Sequence, residues 1–267
     1  MSRIAATFAR LREENRTGLV AYITAGDPSP SRTPSLVAAL ERGGADLIEL
    51  GVPFSDPIAD GPVIQRGSER ALAAGTTLHS VLEIAAGIRR HSQIPIILFT
   101  YLNPVLRYGF EALARDAAAC GVDGCLLTDL TVEEAESYVD TMHRAGLETV
   151  FLAAPTSAAR RLELVARYST GFLYLVSRTG VTGEQDRLSG SALPLIASLR
   201  ALTDKPLAVG FGISRAEHAA ELAGKADAIV VGSAFVRTVE QNPGPELEAR
   251  LEALAAELSG ALRGARA

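Results

Sequence analysis

The sequence predicts an α/β fold, a single (β/α)8 barrel of the TIM type that spans residues 1–267 as one domain. Eight short apolar runs rich in Val, Ile and Leu recur along the chain and alternate with amphipathic helical stretches. Buried parallel strands read as continuous apolar runs, and strands that alternate with helices form parallel sheets. Eight such units favour a closed barrel over an open doubly wound sheet.

The predicted elements follow one another without a linker or a low-complexity segment. The eight predicted strands cover residues 19–24, 46–50, 94–100, 123–128, 147–152, 171–176, 206–210 and 227–231. The predicted helices cover residues 32–42, 76–90, 110–119, 132–144, 157–167, 190–201, 214–223 and 245–263. Two further helices are additional to the repeat. One is N-terminal, with Ile4, Phe8 and Leu11 at helical spacing, and we expect it at the surface. The other is a short helix over residues 61–73.

Composition excludes several classes of protein. The 267 residues are 48% hydrophobic, which is enough for one large core. A net charge of −5 argues against non-specific binding to nucleic acid. No apolar run approaches the ~20 residues of a membrane span, and the N-terminus lacks the apolar core of a signal peptide. Cys120 and Cys125 match no metal or redox spacing, so we expect free thiols and a cytoplasmic location.

Two acids in residues 46–62 are the first candidate catalytic groups. Glu49 lies near the end of an apolar strand, and Asp60 lies on the proline-rich loop that follows. An acid within an apolar strand is costly unless it has a function or a partner. Such a pair is how a barrel enzyme places acid/base groups. The alternative is structural: Glu49 makes a hydrogen bond within the fold, and Asp60 caps the next helix.

Small residues after the last two strands predict a phosphate site. Gly210 and Gly212 follow the seventh strand, and Gly232 and Ser233 follow the eighth. They allow backbone N–H groups to approach an anion beside helix N-termini. Residues 177–189, which follow the sixth strand, are expected to form a lid over the substrate.

An apolar and aromatic wall is predicted between the acids and the phosphate end. Its members share positions near the strand ends: Tyr22, Tyr101, Leu126, Leu152, Tyr174 and Phe211. They suit a flat apolar ring. A Schiff base needs a lysine in the mouth, but Lys205 and Lys225 precede their strands. The four histidines have no ligand spacing, so no metal site is expected. Only carboxylates and a phenol then remain as candidate catalytic groups, and they are suited to acid/base chemistry. If a bond of the substrate is broken here, the substrate's own ring is expected to serve as the electron sink once it is protonated.

With these residues in place, the chain resembles the tryptophan synthase alpha subunit family over essentially its whole length. The segments that carry the resemblance are AYITAGDP (21–28), ELGVPFSDPIADGPVIQ (49–65), TYLNP (100–104), GVDGCLLTDL (121–130), YLVSRTGVTG (174–183), GFGIS (210–214) and VGSAFV (231–236). The resemblance implies retro-aldol cleavage of indole-3-glycerol phosphate to indole and glyceraldehyde 3-phosphate.

The resemblance also implies a role for each matching residue. Glu49 is the acid/base that protonates indole C3, Asp60 stabilises positive charge at the indole nitrogen, and Tyr174 assists. The residues that match the substrate site are Tyr22, Tyr101, Leu126 and Phe211 at the indole pocket, Gly183, Gly212, Gly232 and Ser233 at the phosphate, and Thr182 on the lid.

A partner is implied as well: a tryptophan synthase beta subunit that carries pyridoxal phosphate, in an alpha2-beta2 assembly. This chain itself is expected to hold no cofactor. The loops at residues 53–60 and 102–108 would face the partner. The family usually has proline after the segment DL at 129–130, whereas this chain has Thr131. The resemblance therefore implies a looser loop at that interface.

Three alternatives share parts of this site. A free-standing indole-releasing lyase would have the same chemistry without an obligate partner. A regulatory subunit would bind the phosphate ligand without turning it over, and intact Glu49 and Asp60 argue against it. An isomerase or synthase acting on a neighbouring indole-pathway phosphate is the third, but the synthase would need a lysine in the mouth.

Overall fold

Nine parallel strand segments form the barrel wall in the computed structural model, which describes residues 1–176, 192–210, 212 and 215–263. Hydrogen-bonded neighbours run in the order β5-β4-β3-β2-β1-β9-β8-β7-β6. The segments are β1 (Gly18–Thr24), β2 (Leu47–Gly51), β3 (Ile96–Thr100), β4 (Gly124–Leu127), β5 (Glu148–Val150), β6 (Leu152–Ala153), β7 (Leu173–Val176), β8 (Leu207–Gly210) and β9 (Ala228–Val231). The predicted parallel barrel is confirmed.

The barrel closes through a break in its fifth strand, which was predicted as one run over residues 147–152. Val150 of β5 pairs with β4, whereas Leu152 of β6 pairs with β7. At the residue between them, the N–H of Phe151 donates to the side-chain oxygen of Ser169 (3.1 Å). A side chain thus satisfies the backbone group that would otherwise extend the ladder, and one strand splits into two segments.

Helices surround the described part of the barrel, and the additional helix after β2 is present as predicted. The helices are α1 (Arg3–Glu13), α2 (Thr33–Arg42), α3 (Pro62–Ala73), α4 (Leu78–Arg89), α5 (Leu102–Tyr108), α6 (Phe110–Ala119), α7 (Glu136–Arg144), α8 (Ala159–Tyr168), α9 (Ala192–Arg200), α10 (Ala216–Leu222), α11 (Ser233–Gln241) and α12 (Leu247–Arg263). Within the described ranges no single helix is long and apolar enough to cross a membrane. Helices α3 and α4 meet those criteria only as a pair bent by 95°.

The N-terminal helix closes one end of the barrel rather than lying only on its surface. Ile4, Phe8 and Leu11 are buried in the same cluster as the inward-facing strand residues, and Phe8 lies 5.8 Å from Phe172, ring centre to ring centre. The opposite face of α1 carries Arg10 and other polar residues. The helical spacing was correct, but its apolar side is part of the barrel core.

Residues 102–108, expected as a loop, form the short helix α5. The loop was implied by the resemblance, but Pro104 is compatible with the first turn of a helix because the N–H it lacks has no partner there. The carboxylate of Asp129, from the loop after β4, accepts the N–H of Leu102 (2.6 Å). Gly109, with φ +93°, then separates α5 from α6.

One hydrogen-bonded arrangement recurs at the N-terminal end of the barrel. An aspartate just before a strand donates its N–H to one residue of the neighbouring strand and accepts that residue's N–H on its carboxylate. The pairs are Asp46 with Leu19, Asp123 with Ile96, and Asp227 with Leu207. Arginines complete each site: Arg10 and Arg16 at Asp46, Arg3 and Arg89 at Asp123, and Arg200 at Asp227. These acids fasten adjacent strands away from the candidate site.

Helix α3 is tied to the loop after β1 by an ion pair. Arg70 contacts both carboxylate oxygens of buried Asp27, at 2.9 and 2.8 Å. Arg70 and Arg66 also contact Glu240 of α11. Because α3 begins two residues after Asp60, this network holds the downstream end of the loop that carries that acid.

Removing one of the repeated aspartates is expected to destabilise the fold. Asp123→Ala leaves the buried N–H of Ile96 without its acceptor and removes the carboxylate that pairs with Arg89. We expect a loss of about 3 kcal/mol in the free energy of unfolding, measured by urea denaturation. Glu252→Ala, which removes a surface pair with Arg42, is the control and should cost less than about 1 kcal/mol. Equal losses in the two variants would contradict the fastening role.

Candidate active site

Glu49 projects from β2 into the barrel. In the described residues, inward-facing positions alternate along β2, so that Leu47 and Glu49 face the interior while Ile48 and Leu50 pack against the helices. The side chain of Glu49 is fully buried, and neither carboxylate oxygen has a hydrogen-bond partner among the residues described. Burial raises the pKa of Glu49 from 4.5 to about 8. At neutral pH this carboxyl group is therefore mostly protonated and can act as an acid.

Asp60 is also buried, but its carboxylate is hydrogen-bonded. The phenol of Tyr101 donates to Oδ2 of Asp60 (3.0 Å) and accepts the N–H of Ala59 (3.0 Å). The amide of Gln65 donates to the Asp60 carbonyl (2.8 Å). Burial raises the pKa of Asp60 from 3.8 to about 6, and the hydrogen bond from Tyr101 opposes that rise. At neutral pH Asp60 is thus mostly ionised.

Neither structural alternative for the two acids matches the geometry. The structural role for Glu49 required a hydrogen bond within the fold, and the described residues supply none. The structural role for Asp60 was to cap α3. That helix starts after Gly61, which makes no side-chain cap, and the Asp60 carboxylate is instead held by Tyr101. Both acids remain available for chemistry.

Tyr22 lies on β1 beside both acids. Its ring packs edge-on against Phe99, with ring centres 5.3 Å apart. Its hydroxyl lies over Gly51, where an added Cβ would come within 2.3 Å of it. Burial, followed by the nearby charge of Asp60, raises the pKa of Tyr22 well above 10. The phenol therefore stays neutral.

Tyr174 approaches Glu49 from β7. Its hydroxyl lies against Gly210 of β8, where a Cβ would sit 2.5 Å away. Burial raises the pKa of Tyr174 well above 10, and Glu49 is the largest electrostatic contributor to the same shift. Leu126 and Leu152 belong to the same interior cluster. The strands thus gather the predicted aromatic and apolar residues around Glu49.

The predicted phosphate end is described in part. Gly212 has φ +64°, a conformation that favours glycine. Gly232 precedes the first residue of α11, Ser233, which is buried. Tyr22 lies close by, because a Cβ on Gly232 would touch its ring at 3.4 Å. The N-terminus of α11 is therefore adjacent to the aromatic wall. Thr182, Gly183 and Phe211, with the expected lid, lie outside the described residues.

Two aromatic contributors to the site, Phe99 and Phe54, were missed in the sequence, whereas Thr128 stands at the predicted end of the fourth strand. Phe99 packs on Tyr22, Phe54 packs on Tyr101 with ring centres 5.2 Å apart, and the hydroxyl of Thr128 interacts with the Tyr101 phenol. Alternation along β3 could have identified Phe99, since it shares the inward face with Ile97. Phe54 carried no signal, because its position depends on how the loop after β2 folds over the barrel end.

The lysines lie away from this site, as predicted. Lys205 precedes β8, and its ammonium group donates to backbone carbonyls of Ala166, Arg167 and Ser169 near the end of α8. Lys225 lies between α10 and β9. Among the described residues no group of three or more His, Cys, Asp or Glu side chains is arranged to hold a metal ion.

The geometry defines a class of protein: a parallel α/β barrel that holds two buried carboxyl groups of different acidity. Near neutral pH Glu49 mostly holds its proton and Asp60 is mostly ionised, and pKa values separated in this way are typical of acid/base pairs in enzymes. Comparison with known proteins then gives the family. A sequence model described as Tryptophan synthase alpha chain matches residues 8–263.

Relatives and solved structures agree with that match. The tryptophan synthase alpha chain of Solibacter usitatus is 68% identical over the full length of both chains. That of Geobacter sulfurreducens is 50% identical and covers 92% of this chain and 94% of its own. A chain of Mycobacterium tuberculosis tryptophan synthase superposes with a TM-score of 0.91 at 37% identity, with 98% of each chain covered. The chain belongs to the tryptophan synthase alpha chain family, whose members are enzymes of the lyase class.

The buried acid predicts a pH-dependent gain in stability for Glu49→Gln. The pKa of Glu49 is about 8 in the folded protein, above its ordinary value of 4.5. The protonated side chain therefore contributes its full stability to the fold below pH 4.5, and this stability is lost progressively as the pH rises to about 8. The variant should therefore gain about 1.4 kcal/mol per pH unit over wild type across that window. Urea unfolding at pH 5, 6, 7 and 8 measures this gain. Glu257→Gln, on the exposed face of α12, should show no such slope. If the difference in unfolding free energy between Glu49→Gln and wild type were the same at every pH, the pKa of Glu49 would not be raised in the folded protein.

Proposed function

We propose that this chain cleaves indole-3-glycerol phosphate into indole and glyceraldehyde 3-phosphate by a retro-aldol reaction. The observation that carries the proposal is the pair formed by Glu49 and Asp60, two buried carboxyl groups held at different pKa values, about 8 and about 6. A reaction that must protonate a carbon while it stabilises a nearby cation needs one protonated and one ionised acid at the same pH.

The first half of the proposed reaction makes the ring an electron sink. Glu49 gives its proton to C3 of the indole as the nitrogen lone pair moves into the ring. Positive charge then develops at the ring nitrogen, whose N–H faces the carboxylate of Asp60. A fixed carboxylate in a water-poor site stabilises this charge more strongly than the same group would in water.

The second half breaks the carbon–carbon bond. Glu49, now ionised, accepts the proton of the hydroxyl group on the carbon attached to C3. The oxygen forms a carbonyl, the bond to C3 breaks, and its electron pair returns through the ring to nitrogen. Indole and the aldehyde phosphate are released, and Glu49 is protonated again. No proton or electron is consumed over the cycle.

The surrounding residues fit supporting roles in this reaction. The neutral phenol of Tyr174 assists proton transfer at Glu49. Tyr22, Tyr101, Leu126 and, beyond the described residues, Phe211 hold the indole ring. The phosphate is bound by Gly183, Gly212, Gly232 and Ser233, with support from the adjacent N-terminus of α11, and Thr182 closes the lid onto Asp60.

We further propose an assembly and a setting for the enzyme. Residues 1–267 form one barrel domain that uses no cofactor of its own. It works with a tryptophan synthase beta subunit that carries pyridoxal phosphate, in an alpha2-beta2 complex. The similarity to the M. tuberculosis chain supports a joint enzyme, since that chain is part of a tryptophan synthase. The free thiols Cys120 and Cys125 support a reducing compartment, and we propose the cytoplasm.

Activity is expected to depend on both acids and on pH. With indole-3-glycerol phosphate, kcat/KM should fall below about pH 6 as Asp60 is protonated and above about pH 8 as Glu49 ionises. Glu49→Gln and Asp60→Asn should each lose at least about 100-fold in indole release, whereas Glu257→Gln should be unchanged. Near-normal turnover by either active-site variant would contradict the mechanism. Binding without turnover by the wild type would favour the regulatory alternative.

The partner proposal is tested at Thr131. This residue has φ −70°, within the range that proline adopts, and its hydroxyl contacts Glu134 (3.2 Å). Thr131→Pro should therefore fold normally and gain about 0.5 kcal/mol in unfolding free energy. Addition of a beta subunit should stimulate indole release by both forms, and the proline variant should need no more beta subunit than wild type. Fast release by the isolated chain without stimulation would support the free-standing lyase.

A further inference from the structure

Two consecutive residues after β4 form hydrogen bonds with the backbone on either side of Tyr101. Thr128 donates its N–H to the carbonyl of Thr100 (2.9 Å), and its hydroxyl contacts the same oxygen (3.3 Å). Asp129 accepts the N–H of Leu102 on its carboxylate (2.6 Å). The residue before Tyr101 and the residue after it are therefore both fixed by the same neighbouring loop.

Tyr101 in turn fixes the loop that carries Asp60. Its single phenol oxygen accepts the N–H of Ala59 and donates to Asp60, both at 3.0 Å. The ring is buried and packs on Phe54, so the phenol can change position only if its backbone moves. In this series of hydrogen bonds from Asp129 through Tyr101 to Asp60, the contact made by Asp129 is the most exposed to solvent.

We propose that Asp129 is a positioning residue that sets the Asp60 carboxyl group through the backbone of Leu102 and the phenol of Tyr101. The proposal rests on the proposed function for the catalytic role of Asp60, but the geometry of the contact is independent of it. Asp129 does not touch the reacting groups in this arrangement. It determines where Tyr101 presents its hydrogen bond.

A charged acceptor suits this position better than a neutral one. Hydrogen bonds to an ionised carboxylate are stronger than those between neutral groups. Among the described residues, the N-cap residue of α5, Tyr101, makes no side-chain capping hydrogen bond, and the carboxylate of Asp129 accepts the first N–H of this helix instead. Without the acceptor, the first turn of α5 is free to shift, and a shift of less than 1 Å would lengthen the Tyr101–Asp60 bond beyond about 3.5 Å.

The decisive measurement is the pKa of Asp60 in the Asp129→Ala variant, determined by a carboxyl-carbon NMR titration without substrate. Because the Tyr101 hydrogen bond lowers the pKa of Asp60, weakening it should raise that pKa above about 6, by about one unit. The acidic limb of the kcat/KM profile should move with it, so that kcat/KM at pH 6 falls about fivefold. The basic limb, set by Glu49, should stay in place.

Three further variants separate positioning from a general loss of stability. Asp129→Asn keeps an acceptor and should restore most of the wild-type profile. In a Tyr101→Phe background, Asp129→Ala should produce no additional change, because the route to Asp60 is already broken. Thr77→Ala, which removes the side-chain cap of α4 away from the site, should lower stability without moving either limb.

The outcomes distinguish this proposal from the proposed function. An unchanged Asp60 pKa in Asp129→Ala, or additive effects with Tyr101→Phe, would overturn the positioning role even if the enzyme releases indole. Conversely, a shifted pKa in an enzyme whose Asp60→Asn variant keeps full activity would retain the positioning role and remove Asp60 from the mechanism.

Discussion

The carboxyl group of Glu49 is removed from water by the barrel wall, and no described residue offers either of its oxygens a hydrogen bond. An ionised carboxylate in such a place is unfavourable by several kcal/mol, so the group holds its proton at neutral pH. The surrounding leucines, tyrosines and glycines therefore matter as much as the acid itself. They create the low-polarity environment that keeps an ordinary glutamate mostly protonated near neutral pH.

Asp60 differs from Glu49 because one phenol reaches it. Both acids are buried, yet within the described part of the chain only Asp60 has a hydrogen bond that stabilises its ionised form. The lower pKa of Asp60 thus reflects its less complete burial together with the contact from Tyr101, which is itself fixed by the loop after β4. Acids at the opposite end of the barrel, such as Asp123, meet arginines and backbone N–H groups and remain structural. Position along the strand decides which role an acid takes.

Strands and acids were predictable from the sequence because they depend on local patterns. Apolar runs located the eight barrel strands, and an acid inside one of them identified Glu49. The misassigned features all depend on contacts between distant segments. The break at Phe151 needs the side chain of Ser169, α5 begins where Asp129 supplies an acceptor, and the face of α1 is buried because the barrel end lies beside it. No local pattern carries that information.

The identity of the group that holds Asp60 also bears on the proposed chemistry. A guanidinium or ammonium in place of the Tyr101 phenol would keep Asp60 ionised over a wider pH range. The same positive charge would compete with the cation that develops at the substrate nitrogen and would reduce the stabilisation available to it. A neutral donor keeps the carboxylate ionised near neutral pH while it leaves most of its charge for the substrate. A phenol anchored through its backbone meets both requirements.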